Sequence, residues 1–122
     1  MKQMKVLIVD DALLVLTRVS DIINELDCVS DVFLAFTYQD AINKVASAHP
    51  DVVLLDIHLR DKSGIELLDF IKKNYPSVKT VMLTNQVHDN YRSLCEKIGS
   101  DHFIDKSSEF ERISGILQSF CA

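Results

Sequence analysis

Five side chains in this 122-residue chain could do chemistry together: Asp10, Asp11, Asp56, Thr84 and Lys106. Each stands just after a short apolar run. Asp10-Asp11 follow Val-Leu-Ile-Val9, Asp56 follows Val-Val-Leu-Leu55, Thr84 follows Val-Met-Leu83, and Lys106 follows Phe103-Ile-Asp. If these ends converge, three carboxylates crowd one another. Unit charges about 4 Å apart repel by about 4 kcal/mol at an effective dielectric near 20. A raised carboxyl pKa, a lysine or a divalent cation would each offset that repulsion. A set of hard oxygen ligands completed by water favours Mg²⁺. A carboxylate beside Mg²⁺, with a lysine and a hydroxyl opposite, is suited to phosphoryl transfer. Metal and lysine neutralise the transferred group while the carboxylate attacks in line.

The ends meet only if the runs are neighbouring parallel strands. The hydrophobic periodicity predicts strands at 5–9, 29–35, 52–55, 80–83 and 102–104. Helical periods separate them. The first covers 12–26, with Leu13, Leu16, Val19, Ile22, Ile23 and Leu26 on one face. Thr37 is placed to cap a second helix to Ala48, which His49-Pro50 ends. After a loop with Arg60, Asp61 and Lys62, Ser63 with Glu66 forms a capping box for a third, running to about Tyr75 before Pro76. A fourth spans 87–98, with Gly99 as a left-handed cap. Ser108 with Glu111 is expected to cap the last, which carries Phe110, Ile113, Ile116, Leu117 and Phe120. Five strand–helix units imply an α/β fold, a doubly wound parallel sheet with helices on both faces. In the order 2-1-3-4-5 strands 1 and 3 are neighbours, and the functional crevice lies at the carboxyl ends of the strands.

Composition narrows the function classes. The length fits one domain, and 48% apolar with 25% charged residues excludes a disordered or fibrous chain. A net charge of -5 disfavours general nucleic-acid or anionic-membrane binding. No apolar run exceeds five residues, too few to span a bilayer. Cys28, Cys95 and Cys121 are far apart and outside any CxxC, so they read as buried or incidental thiols of a cytoplasmic protein.

Together the strand-end residues make the chain resemble the receiver domain of two-component response regulators, over its whole length. Gly64, eight residues past Asp56, adds to the likeness. The resemblance implies a flavodoxin-like (βα)5 fold and a single domain over 1–122. It implies that Asp56 accepts a phosphoryl group from a sensor histidine kinase or phosphotransfer protein. Asp11, Asp56 and the backbone carbonyl of His58 would ligate Mg²⁺, with Asp10 acting through a metal-bound water. Lys106 would bind the phosphoryl group, and the Thr84 hydroxyl would turn towards it. Phe103 occupies the aromatic switch position, its movement remodelling the helix 4, strand 5 and helix 5 surface for a downstream effector or a homodimer. Such a chain is a phosphoacceptor with slow self-dephosphorylation rather than an enzyme. Such a domain works alone through its switch surface or as part of a longer protein, and the starting methionine and complete fifth helix favour the first.

The chain departs from the family pattern in places. Arg60 and Ser107 stand where many receivers have proline, so the Lys106–Ser107 peptide is expected to be trans. Arg60 is free to meet a partner or an acidic residue. Asn85 replaces a small residue and, with His58 and Gln86, lines the path of the hydrolytic water, which leaves the phosphoryl lifetime open. Taken singly, each site residue has a plainer reading. Asp10-Asp11 would be a helix cap, Asp56 a turn residue, Thr84 a strand-end hydroxyl and Lys106 a solvated charge. His49, His88 and His102 lack ligand spacing and read as surface groups, and Lys72-Lys73 as a solvated helix face. Three other functions compete. A degenerate receiver would bind partners without phosphorylation. A phosphohydrolase of the haloacid-dehalogenase type would want DxD after the first strand and a cap segment. An FMN-binding protein would want a loop rich in Ser, Thr and Gly where the chain has two aspartates.

Overall fold

The computed structural model describes residues 3–85 and 89–121. Gln86 and His88, named above, and Val87, where the fourth helix is expected to begin, lie outside the described residues. The elements alternate strictly: β1 (Met4–Val9), α1 (Leu13–Asn24), β2 (Val29–Ala35), α2 (Tyr38–Ala48), β3 (Val52–Asp56), α3 (Gly64–Asn74), β4 (Lys79–Thr84), α4 (Asp89–Ile98), β5 (His102–Asp105) and α5 (Arg112–Cys121). All strands are parallel, in the order β2-β1-β3-β4-β5. This is the doubly wound parallel sheet expected from the periodicity, in the flavodoxin-like form that the resemblance implied.

The apolar pattern of each strand divides between two cores. Val6, Ile8, Val52, Leu54, Val81, Leu83 and Ile104 point to the side covered by α1 and α5, against Leu16, Val19, Ile23, Ile113 and Leu117. Leu7, Val9, Val53, Leu55, Met82 and Phe103 point to the other, against Ala41, Val45, Leu67, Leu68, Ile71 and Cys95. β3 is therefore buried along its whole length, as its unbroken apolar run requires. β2 is a sheet edge, and its Ser30 and Asp31 are exposed.

The helix ends largely follow local chemistry. The Thr37 hydroxyl accepts from the Asp40 N–H, and that of Ser63 from the Ile65 N–H. His49 ends α2 in the left-handed region at φ 52°. Gly99, at φ 123°, closes α4 while Gly99 and Ser100 donate to the Cys95 carbonyl. No cis peptide bond occurs among the described residues, so the Lys106–Ser107 bond is trans.

Three expectations are corrected. Ser108 does not cap α5, which begins only at Arg112. Its hydroxyl is drawn to Asp105, whose carboxylate also takes the N–H and hydroxyl of Ser107 and so forms a turn of its own. Lys72 is no solvated charge: its ammonium donates to the Val78 carbonyl at 2.8 Å and to Asp101 at 3.2 Å, while Lys73 alone stays on the exposed face. Cys28 and Cys121 are not free thiols. They form a disulfide across 93 residues, with Cα atoms 6.2 Å apart, because the fold lays the end of α5 beside the entry to β2. Only Cys95 is free among the described cysteines, and it is buried.

Candidate functional site

Sheet register assembles the site. Val9 pairs with Leu55, so the next residues, Asp10 and Asp56, emerge side by side. Thr84 pairs with Asp105, and the Lys106 N–H donates to the Thr84 carbonyl at 2.8 Å, which sets Lys106 at the same rim. All five residues singled out by sequence are thus at the carboxyl edge, and four of them are buried: Asp10, Asp56, Thr84 and Lys106. Asp11 is part exposed and opens the site to solvent.

Charge pairing explains how the cluster tolerates its crowding. The Lys106 ammonium donates to Asp10 and lies 3.2 Å from Asp56 Oδ2. The plain reading of Lys106 as a solvated charge is overturned, since burial of an ammonium is tolerated only with such partners. The other oxygen of Asp10 accepts from the Ala12 N–H at 2.9 Å, so the helix-entry reading of that residue is also partly right. The Asp56 carboxyl is held above its ordinary range by burial. Lys106 opposes this shift and the neighbouring Asp10 adds to it. The His58 N–H donates to the same carboxylate and favours its charged form.

Carboxylate oxygens of Asp10, Asp11 and Asp56 all lie within 4.8 Å of one another. Opposite corners of a Mg²⁺ octahedron are about 4.2 Å apart, from ligand distances near 2.1 Å. Three carboxylates facing one buried lysine leave excess negative charge, so a hard dication fits this donor set in size, ligand type and sign. Asp10 already spends both oxygens on protein donors and Asp56 accepts from the His58 N–H beside Lys106, which leaves Asp11 as the freest ligand.

The rim is built from the turn after β3. Gly64 donates to the Ile57 carbonyl at 2.6 Å, and a Cβ built there would stand 1.7 Å from the Asp56 carbonyl oxygen. Glycine is needed here for space. His58 is exposed and meets the Tyr91 ring edge-on at 6.0 Å. Arg60 does find an acidic residue, its Nε 3.9 Å from Asp11 Oδ2, although the side chain is mostly exposed. Phe103 is buried on the α2, α3 and α4 side of the sheet, with the Arg92 guanidinium 4.7 Å over its ring.

Two residues near the site escaped the sequence reading. Arg92 is one; nothing in its spacing marks it as the cover of Phe103. Asp61 is the other. It accepts from the N–H groups of Tyr38 at 2.9 Å and Gln39 at 3.2 Å, tying the loop after β3 to the start of α2. Those hydrogen bonds hold its carboxyl below the ordinary range. The signal would have been an acidic residue facing a helix start, but the helix is 23 residues earlier in the chain.

Known proteins share the sequence pattern and the fold of this chain. The family described as the response regulator receiver domain matches residues 6–118. The response regulator protein VraR of Staphylococcus saprophyticus is 34% identical over 116 residues, covering 93% of this chain and 54% of that protein. A protein-glutamate methylesterase/protein-glutamine glutaminase of Desulfotalea psychrophila is 32% identical over 111 residues, 89% of this chain and 30% of that protein. The chain thus spans about half, or less, of these relatives' length. Two solved structures share the fold. The isolated REC domain of RcsB from Salmonella enterica serovar Typhimurium, with the phosphomimetic BeF3-, superposes with a TM-score of 0.91 at 22% identity, covering 98% of this chain and 88% of that one. A CheY-like receiver domain protein from Methanospirillum hungatei gives 0.89 at 24% identity, covering 98% and 94%. With a family match running from the first strand into the last helix, the resemblance carried by the strand ends becomes membership: this chain belongs to the receiver domains of two-component response regulators, phosphoacceptors of phosphorelay signalling.

Proposed function

We propose that residues 1–122 form a single receiver domain in which Asp56 accepts a phosphoryl group from a sensor histidine kinase or phosphotransfer protein. The observation that carries this reading is Asp56 itself: buried, 3.2 Å from a buried lysine and beside two further carboxylates. A structural ion pair with Lys106 would need one carboxylate, not three. An Asp56 oxygen attacks the phosphorus of a phosphohistidine; the P–N bond breaks, the new O–P bond forms, and the imidazole leaves. Lys106 follows the charge, turning from the carboxylates to a phosphoryl oxygen. Asp11, Asp56 and the His58 carbonyl would hold Mg²⁺, with Asp10 acting through water, and the ion would supply neutralisation of the developing charge.

Thr84 and Phe103 are the proposed relay. The Thr84 hydroxyl moves to the phosphoryl group and draws the loop after β4. Phe103 has no hydroxyl, so its response is one of packing, and Arg92 is the group it must carry or release. The face made by α4, β5 and α5 then meets a downstream effector or a second copy of the chain. Slow self-dephosphorylation ends the signal, with His58 and Asn85 along the path of the attacking water. The reading places the protein in the cytoplasm with no direct nucleic-acid or membrane contact. No helix among the described residues is long and apolar enough to cross a membrane.

Incubation with acetyl phosphate and Mg²⁺, followed by intact mass measurement, tests the chemistry. The expected result is the gain of one phosphoryl group, abolished by Asp56→Asn and by a chelator. An unchanged mass, with acetyl phosphate and with a promiscuous kinase donor alike, would assign the chain to the degenerate receivers.

A further inference from the structure

The Cys28–Cys121 bond lies at the opposite edge of the sheet from the carboxylates. Cys28 immediately precedes β2, at the amino edge of the parallel strands, and its carbonyl accepts from the Met4 N–H at 2.7 Å. Cys121 is the last residue of α5, which runs back antiparallel to the strands. The bond therefore joins the anchored entry of β2 to the far end of α5. The 6.2 Å Cα separation is within the range that cysteines bridge without moving the backbone.

Little else holds that end. The ion pair of α5 is at its start, between Arg112 and Glu109, and the Ser119 hydroxyl stays within the helix on the Ile116 carbonyl. Among the described residues, the second half of α5 makes no side-chain hydrogen bond or ion pair to another element. Apolar contact remains: Ile116 and Leu117 in the core and Phe120 against the His102 ring at 5.6 Å. The two sulfurs also differ in access. Cys28 is buried, whereas Cys121 is half-buried on the last turn of α5. Cys95 is isolated in the other core, and burial pushes its thiol up to about 11, so it does not compete in exchange.

We propose that Cys28 and Cys121 are a reversible thiol–disulfide exchange site that sets how tightly the end of α5 is held to the α1–β2 corner. The co-reactant is a low-molecular-weight disulfide. The thiolate of Cys121 attacks it, releasing one thiol and leaving a mixed disulfide. The Cys28 thiolate then displaces the second thiol. The two protein thiols lose two electrons and two protons, the small disulfide gains both, and two small thiols leave. In the oxidised chain α5 is clamped at its far end; in the dithiol chain it is held by packing alone. On the reading proposed above α5 belongs to the output face, so compartment redox poise would tune that face without touching the phosphoacceptor.

The test equilibrates the full chain in mixtures of reduced and oxidised glutathione, quenches with an alkylating agent and weighs the intact protein. Hydrogen exchange is then measured for residues 113–121 at the two extremes. The expected oxidised species is lighter by two hydrogens, accepts one alkyl group at Cys95 after denaturation, and maps to a Cys28–Cys121 peptide link. Reduction should speed exchange in the last two turns of α5 at least tenfold. Cys95→Ser should respond like the parent, and Cys121→Ser should behave like the reduced protein at every ratio. Glutathione adducts with no internal bond, or equal α5 protection in the two forms, would overturn the proposal. Reduction of the unmodified chain gives this answer even if a variant fails to fold, and no arm depends on phosphorylation.

Discussion

Substituting Gly64 sets two effects against each other, and the structure decides between them. Alanine in a helix is favoured over glycine by up to about 1 kcal/mol. Gly64 begins α3, and its φ is outside the left-handed region, so by propensity alone Gly64→Ala should stabilise. Space says the reverse. The new Cβ would lie 1.7 Å from the Asp56 carbonyl oxygen, 2.8 Å from the carbonyl carbon and 3.0 Å from the Ile57 Cα. All three are backbone atoms, so no side chain can swing aside. Overpacking costs about 1–3 kcal/mol. Pulling the turn open also weakens the Gly64 hydrogen bond to Ile57, worth about 1 kcal/mol. The net expectation is a loss of about 1–3 kcal/mol, or about 4–12 °C in melting temperature for a chain this size. Because the displaced carbonyl belongs to Asp56, phosphoryl uptake should also slow at least about tenfold, a modest share of what a misplaced reacting group can cost. Gly115→Ala is the matched control, with nothing within 4 Å of its built Cβ, and should gain about 0.5–1 kcal/mol. Urea unfolding followed by circular dichroism, with acetyl phosphate uptake by mass, measures both. If Gly64→Ala gains stability as Gly115→Ala does, the close approach of β3 and α3 is not there and the reasoning fails.

Asp101→Ala should show a pH-dependent loss. The Asp101 carboxylate accepts from the Thr80 N–H at 2.9 Å and from Lys72 at 3.2 Å. Burial pushes its pKa up, but the Thr80 N–H and the Lys72 ammonium outweigh that and hold it below the ordinary carboxylate range. A depressed carboxyl contributes stability that is full above the unfolded value and lost as pH falls through the folded one. The variant should therefore be less stable by about 1–3 kcal/mol at neutral pH, chiefly from the orphaned buried Thr80 N–H, with a deficit that narrows in acid in urea titrations below pH 4. Lys106→Met removes the ammonium between Asp10 and Asp56; the loss should be about 3–5 kcal/mol at neutral pH. Millimolar Mg²⁺ should raise the variant's melting temperature more than the parent's, and an equal rise in both would refute the electrostatic account. Reducing the disulfide should cost at most about 4–5 kcal/mol by the chain-entropy model for a loop closed across 93 residues. Unchanged denaturation midpoints with and without a strong dithiol reductant would show that the bond constrains nothing.

The order of elements and the identity of the acidic cluster were legible in the linear chain, because both are written at short range. Alternating apolar runs encode strand and helix periods, and a residue that ends a strand in a parallel sheet has only one edge on which to lie. Thr37 and Ser63 announced their helices because a cap acts within three residues. The start of α5 lies later for a related reason: Ser108 and Glu111 have the spacing of a cap, but Asp105 takes the same hydroxyl into a turn of its own.

What required the folded chain was every pairing between residues far apart in sequence. Lys72 reads as one of two solvated lysines until the strands bring Val78 and Asp101 under it. Asp61 becomes an anchor for α2 only when the loop after β3 folds over that helix. Cys28 and Cys121 sit nearly a chain length apart, and their meeting depends on α5 returning along α1. Composition and periodicity specify which face of an element is buried. They carry no information on which distant partner shares that face, since sheet register and helix docking are settled by the packing of the whole domain.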